Sequence, residues 1–187
     1  ATFPFRTVTF HGNTSQSITI LMPSNGCLRV LDPVYANAQV YERYPKFLTR
    51  SIPLSDTTRI ITDAPDLKLS ENVFGKEPKH TWCYYFEKAE LARQTGNWQE
   101  VTLLGDEAER QGYIPEDAYE RLPFIEAYAR VGDLKKAEAL TREAFRAEMK
   151  PGTGLCQLWK RLQAQGQAGG AVFLLSSKIL NEFHCAP

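Results

Sequence analysis

Two glycine-hinged triplets, Gly96-Asn97-Trp98 and Gly132-Asp133-Leu134, stand 36 residues apart. The same offset lays Val101 on Ala137 and Ala108 on Ala144. Glycine takes the left-handed conformation that ends a helix, and Asn or Asp caps the next one. Each triplet therefore predicts a sharp reversal between two helices. Glu100 stands three residues after Asn97, and Glu120 three after Asp117, which are capping-box-like spacings. The inward stripes are Trp98, Val101, Leu104 and Ala108, then Leu134, Ala137, Leu140, Ala144 and Phe145. Helices of about 15 residues do not persist alone in water, so they must pack side by side. A helix pair repeating at this distance is the mark of a stacked array.

These residues carry a resemblance. From about 77 to 150 the chain resembles the tetratricopeptide repeat family. Gly96, Asn97, Trp98 and Ala108 match its pattern, as do Gly132, Asp133, Ala137, Ala144 and Tyr128, and Ala89 takes the small position of the first helix. Ile125 at that position in the second pair, Pro123 inside its first helix, and a spacing of 36 against the family's 34 are departures. The resemblance implies a concave groove lined by first helices. Carried over, the groove residues are Phe86, Glu90, Arg93 and Gln94, then Tyr119, Glu126 and Arg130. An arginine there could clamp a carboxylate with two prongs. The competing reading makes Glu90/Arg93 and Glu126/Arg130 solvated intrahelical pairs worth a few tenths of a kcal/mol. A third, degenerate hairpin is expected from Leu155 to Phe183, hinged near Gly166.

The first third reads differently. Val8 and Phe10 alternate with threonines, and Ile18, Ile20 and Met22 with their neighbours; Leu28 and Val30 flank Arg29. Period-two patterning with breaks at Gly12–Ser15 and Pro23–Gly26 predicts a three-stranded meander at about 5–11, 16–22 and 27–31. Helical turns near 36–50 and a strand near 59–62 are expected in the proline-broken stretch that follows. A helix is expected from Pro78 to Thr95. The fold class is thus α+β: a small N-terminal antiparallel sheet packed on a tetratricopeptide-like hairpin array. Residues 1–75 form the β-rich part and 76–187 the helical part, as one cooperative unit.

Lys plus Arg and Asp plus Glu both number 22. A nucleic-acid partner is not expected, since counterion release needs a basic surplus. The longest apolar run, Ala171 to Leu175, cannot span a bilayer, and no signal peptide is read at the start. The four cysteines, Cys27, Cys83, Cys156 and Cys185, are expected as free, partly buried thiols, because a chain this long can fold without cross-links. His80 with Cys83 and His184 with Cys185 could in principle supply metal ligands, but adjacent His-Cys is poor geometry and both pairs are read as structural. Trp82, Tyr84, Tyr85 and Phe86 surround a helix circumference. They predict a buried central helix, with a sugar-stacking platform as the other reading.

No nucleophile elbow, phosphate loop or zinc-protease motif occurs. Asp32, Asp56, Asp63 and Asp66 are read as turn caps rather than general acids. No catalytic residue, metal or cofactor is expected. Segments 26–33 and 80–89 resemble the soluble C-terminal region of large multi-spanning bacterial membrane proteins, some of them similar to lipid-linked-sugar glycosyltransferases. That implies a non-catalytic interaction or structural module, extracytoplasmic and attached to a membrane-embedded parent. Its partner would be protein, peptide or that parent. A peptide- or glycan-binding domain is the alternative, and a small hydrolase or transferase the least favoured. A cytoplasmic location is the other reading of the compartment.

Overall fold

The computed structural model describes residues 2–11, 17–34, 45–62, 70–147 and 153–185. It is α+β. Four short strands, β1 (Thr2–Phe5), β2 (Val8–His11), β3 (Thr19–Leu21) and β4 (Arg29–Leu31), are followed by helices α1 (Lys46–Ser51) and α2 (Glu71–Phe74). Three helix pairs come next. They are α3 (Trp82–Gln94) with α4 (Trp98–Arg110), α5 (Leu122–Val131) with α6 (Leu134–Ala147), and α7 (Thr153–Gln165) with α8 (Ala171–Glu182). The chain divides into two compact units, residues 1–21 with 30–63, and residues 22–29 with 64–187.

In the first unit the expected meander is replaced by two two-stranded sheets, β1-β2 and β3-β4. The first alternating run is itself a hairpin, with Phe3 opposite Phe10 and Phe5 opposite Val8. The chain reverses at Arg6, whose φ of 55° is unusual for a residue with a Cβ. Gly12 to Ser15, read as the first turn, lies outside the described residues. The expected strand at 59–62 is also absent. Asp56 accepts a hydrogen bond from the Thr58 backbone and opens a 3-10 turn at Thr57–Arg59. Helical turns near 36–50 are seen only as α1, because 35–44 are not described. Leu21, Leu31, Leu48 and Ile52 are the buried apolar residues here. Ser17 and Thr19 bond across to Leu54, Ser51 and Ser55, fixing strand to helix end.

The second unit is built on the hinges. Gly96 (φ 74°) ends α3, and the amides of Gly96 and Asn97 return to the carbonyls of Arg93 and Ala92. That crossed pair satisfies two carbonyls that the helix end would otherwise leave open. Asn97 then caps the Glu100 amide, and Asp133 caps Lys136 in the same way after Gly132 (φ 92°). Positions 36 apart share environments. Val101 and Ala137 are fully buried, Ala89 and Ile125 also, and Trp98 and Leu134 both pack partly buried on the core. The helix expected from Pro78 begins instead at Trp82, after the extended Thr81. Pro123 falls in the first turn of α5, where its missing N–H costs nothing. Asp117 caps a 3-10 turn at Ala118–Arg121 rather than α5 itself. The third pair is present, and Trp159, fully buried, donates its indole N–H to Thr141 Oγ1 at 3.1 Å.

The cysteines overturn the free-thiol expectation. Cys27 is bonded to Cys83 and Cys156 to Cys185. The error was to read cross-links only as a remedy for a small core. Here they tie irregular segments to helices. The first bond, together with the Cys27 amide donating to Glu120 Oε1 at 2.7 Å, explains why residues 22–29 belong to the helical unit. The sequence boundary at 75/76 therefore does not mark where the units divide.

Candidate functional site

Of the seven groove residues expected from the first helices, Glu90, Arg93, Glu126 and Arg130 come together; Phe86, Arg93 and Glu126 are buried, Glu90, Gln94 and Tyr119 half-buried, and Arg130 lies at the surface. Phe86 is a core side chain. Glu126 is fully buried and accepts two hydrogen bonds from Arg130, at 3.0 and 2.8 Å, and one from Arg161 of α7 at 2.7 Å. Arg93 reaches the same carboxylate at 4.0 Å and pairs with Glu90 at 2.7 Å. Arg130 also lies over the Trp98 ring and bonds Gln165. The result is a ladder of charge running α3–α5–α7. Three guanidiniums meet two carboxylates around the enclosed Glu126, with Arg130 and Arg161 reaching the surface at the outer end. The competing reading of these pairs as solvated is therefore corrected in part: the intrahelical spacing is right, but Arg93 and Glu126 are buried and the pairs are cross-linked between hairpins, while Arg130 keeps contact with water. Gln94 is half-buried. Tyr119 sits in the 3-10 turn, where its ring lies so close to Gly154 that a Cβ there would be 2.6 Å from it.

The remaining candidates are placed as follows. Asp32 and Asp56 cap the Val34 and Thr58 amides, while Asp63 and Asp66 lie outside the described residues. The disulfides take Cys83 and Cys185, so no thiolate stands beside His80 or His184. Among the described residues no cluster of three His, Cys, Asp or Glu could hold a metal ion. Of the aromatic quartet, Tyr85 and Phe86 are buried, whereas Trp82 and Tyr84 are only half-buried. Tyr84 stacks on His80 with ring centroids 3.5 Å apart.

A second, unforeseen site opens elsewhere in the helical unit. A cleft of about 290 Å³ is lined by Trp82, by Gly105 of α4, by the 112–115 loop, by Arg121, Phe124 and Tyr128, and by Lys136, Leu140 and Glu143 of α6. Its walls are fixed. Trp82 donates its indole N–H to buried Glu120 at 2.6 Å and tilts against Phe124. Tyr113 donates its hydroxyl to the His80 carbonyl at 2.8 Å. Tyr128 donates to Asp106 at 2.6 Å. Lys136 bonds Asp106 and Glu109, both at 2.6 Å, and stands over the Tyr128 ring. Gly105 lets α4 and α5 meet, since a Cβ there would lie 2.8 Å from the Phe124 ring.

The electrostatics follow from that packing. Burial, with the Asp106 hydrogen bond, pushes the Tyr128 phenol well above its ordinary value. Burial opposes charge on Lys136, but the hydrogen bonds it makes to Asp106, Glu109 and Tyr128 outweigh that and raise its pKa. Asp106 is likewise held low against its burial by Lys136 and Tyr128. Arg121 differs. Burial lowers its pKa, with Glu143 and Glu120 only partly opposing. Its side chain is 14% exposed and its ion-pair contact among the described residues is Glu143, 3.8 Å away and half exposed.

The mid-helix Gly105 was the one sequence signal for this cleft. A glycine inside a helix costs about 1 kcal/mol against alanine, and so marks a close approach. The lining itself draws on five segments whose meeting no local pattern announces. Comparison with family models, with curated proteins and with solved structures finds no match for this chain.

Proposed function

We propose that the chain is a non-catalytic interaction module, working outside the cytoplasm as the extramembrane part of a larger membrane protein. The observation that carries this reading is the covalent closure of the helical unit by Cys27–Cys83 and Cys156–Cys185. Such bonds persist where the environment is oxidising. No helix among the described residues is long and apolar enough to cross a membrane, so attachment would come through a parent chain.

The interaction part rests on the stacked helix pairs. Arrays of this kind, tetratricopeptide repeats among them, offer long surfaces whose exposed side chains vary while the hinges stay fixed. The charged groove positions that the resemblance points to, Glu90, Arg93, Glu126 and Arg130, are committed to the charge ladder. This reading therefore moves partner contact to the cleft and to exposed apolar side chains such as Val73, Phe74 and Ile114. A protein, a peptide or the parent's own membrane-embedded part is the partner.

The test is made on the native gene product in its own cells. All four cysteines are expected to resist a thiol-reactive maleimide until a reductant is added. The protein is expected to leave the membrane fraction only with detergent. Labelling without reductant would sink the compartment, and release by alkaline carbonate the membrane attachment. A second reading, a glycan-binding domain, draws on one feature, the pair of anchored rings Trp82 and Tyr113 on the cleft wall. Titration with neutral oligosaccharides, read by tryptophan fluorescence, tests it.

A further inference from the structure

The polar side chains that line the cleft are anchored by strong hydrogen bonds except Arg121 and the half-exposed Glu143. Tyr113, Tyr128, Lys136 and Trp82 are each held at 2.6 to 2.8 Å by a named partner. Arg121 makes no hydrogen bond among the described residues, although only 14% of its side chain is exposed. A guanidinium carries five N–H donors and keeps its charge when buried. None of its nitrogens is among the enclosed, unpaired atoms, so its donors face water rather than protein and stay open to a ligand, and a carboxylate at 3.8 Å that is itself half in water satisfies few of them. The neighbouring acids do not serve it better. The Glu109 side chain is 70% exposed and already accepts from Lys136. The cleft thus holds one under-coordinated cation among Trp82, Tyr113, Phe124 and Leu140.

We propose that this cleft binds a small organic monoanion, with an aromatic or aliphatic body among those apolar side chains and a carboxylate paired to Arg121. The volume suits a compact ligand, at the lower end of the range in which proteins hold small molecules. A fork of N–H donors meets a carboxylate in two parallel bonds, which gives both strength and orientation. A dianion is disfavoured, because Glu109 and Glu143 stand at the same cleft and would repel the second charge. Glu143 is the internal competitor: an incoming carboxylate must replace its contact with Arg121. The inference does not depend on the interaction-module reading, since it concerns one cation and its walls.

The probe is 3-phenylpropionate, with 3-phenylpropanamide as its neutral counterpart and N-acetyl-Ala-Phe, with a free or amidated carboxyl end, as the peptide form. Binding is followed by calorimetry and by fluorescence. The acid is expected to saturate with one site at millimolar concentration or below, and the amide to bind at least about tenfold more weakly. Glu143→Gln is expected to tighten acid binding about threefold or more by removing the competitor, and Arg121→Gln to weaken it at least about tenfold. A preference for the free-ended peptide would identify a chain terminus as the source of the anion, and a preference for the free acid a small molecule; either supports the site. Equal affinity for acid and amide, no saturable binding, or acid binding unchanged in Glu143→Gln overturns the proposal. That last variant is half exposed and keeps the test valid if Arg121→Gln fails to fold.

Discussion

At the scale of single residues, the helical unit is defined by two carboxylates that water does not reach. Glu120 accepts from the Cys27 amide and the Trp82 indole and stands 3.5 Å from Arg29, so one side chain gathers a loop, a helix start and a basic residue. Its Oε1 would lie 2.6 Å from any Cβ at position 26, which adds to the φ of 127° in explaining a glycine there. Glu126 plays the same part among the guanidiniums. Breaking a buried pair by removing one partner costs about 3–5 kcal/mol, because the remaining charges are left uncompensated. Glu126→Gln is therefore expected to destabilise by that amount in urea unfolding, and a loss below about 1 kcal/mol would show the ladder to be solvated. Tyr128 and Lys136 set an alkaline limit. Both have raised pKa values in the folded state, so their contribution is complete below the ordinary values of 10.0 and 10.5 and is lost as pH climbs past them. The melting temperature should fall above about pH 10, less steeply in Tyr128→Phe. A flat profile from about pH 9 to about pH 11 would contradict the assignment.

At the scale of elements, glycine decides how close helices come. A methyl group at Gly105 would stand 2.8 Å from the Phe124 ring and 3.0 Å from the Tyr128 hydroxyl. Intrinsic propensity favours alanine there by about 1 kcal/mol, but overpacking a tight contact costs about 1–3 kcal/mol. Gly105→Ala is expected to be net destabilising and to push α5 from α4, which thermal melting and weaker fluorescence coupling of Trp82 to the cleft would report. Gain of stability would mean the contact is loose. The hairpins were legible in sequence because hinge, cap and small inward residue are local signals, set within a few positions of Gly96 and Gly132. The β region was less so. Its first reversal uses Arg6 rather than a glycine or asparagine, and its later segments pair across distances that period-two patterning does not encode. The groove residues were located but not their burial. Whether Glu126 is wet depends on Arg161, 35 residues further on.

At the scale of the whole molecule, the described chain is two units whose division cuts through the β region, with residues 22–29 fastened to the helices. The cleft could not be read from sequence for a related reason: its walls come from five separate segments. The disulfides stabilise by restricting the unfolded chain. A bond joining residues 56 apart removes about 4 kcal/mol of unfolded-chain entropy, and one joining residues 29 apart slightly less. Reduction, or Cys156→Ser with Cys185→Ser, should lower the unfolding midpoint by a corresponding step. No shift in midpoint would show the last hairpin to be held by packing alone.

The placement of these two bonds also governs how the protein would bear tension. One is anchored near the start of α3 and the other closes α7 and α8 into a ring, so a stretching force applied beyond Cys185 bypasses the last hairpin and falls on the stretch from α3 to α6. In a single-molecule pulling experiment, the two rings would withhold about 200 Å and about 100 Å of contour length until a reductant is supplied.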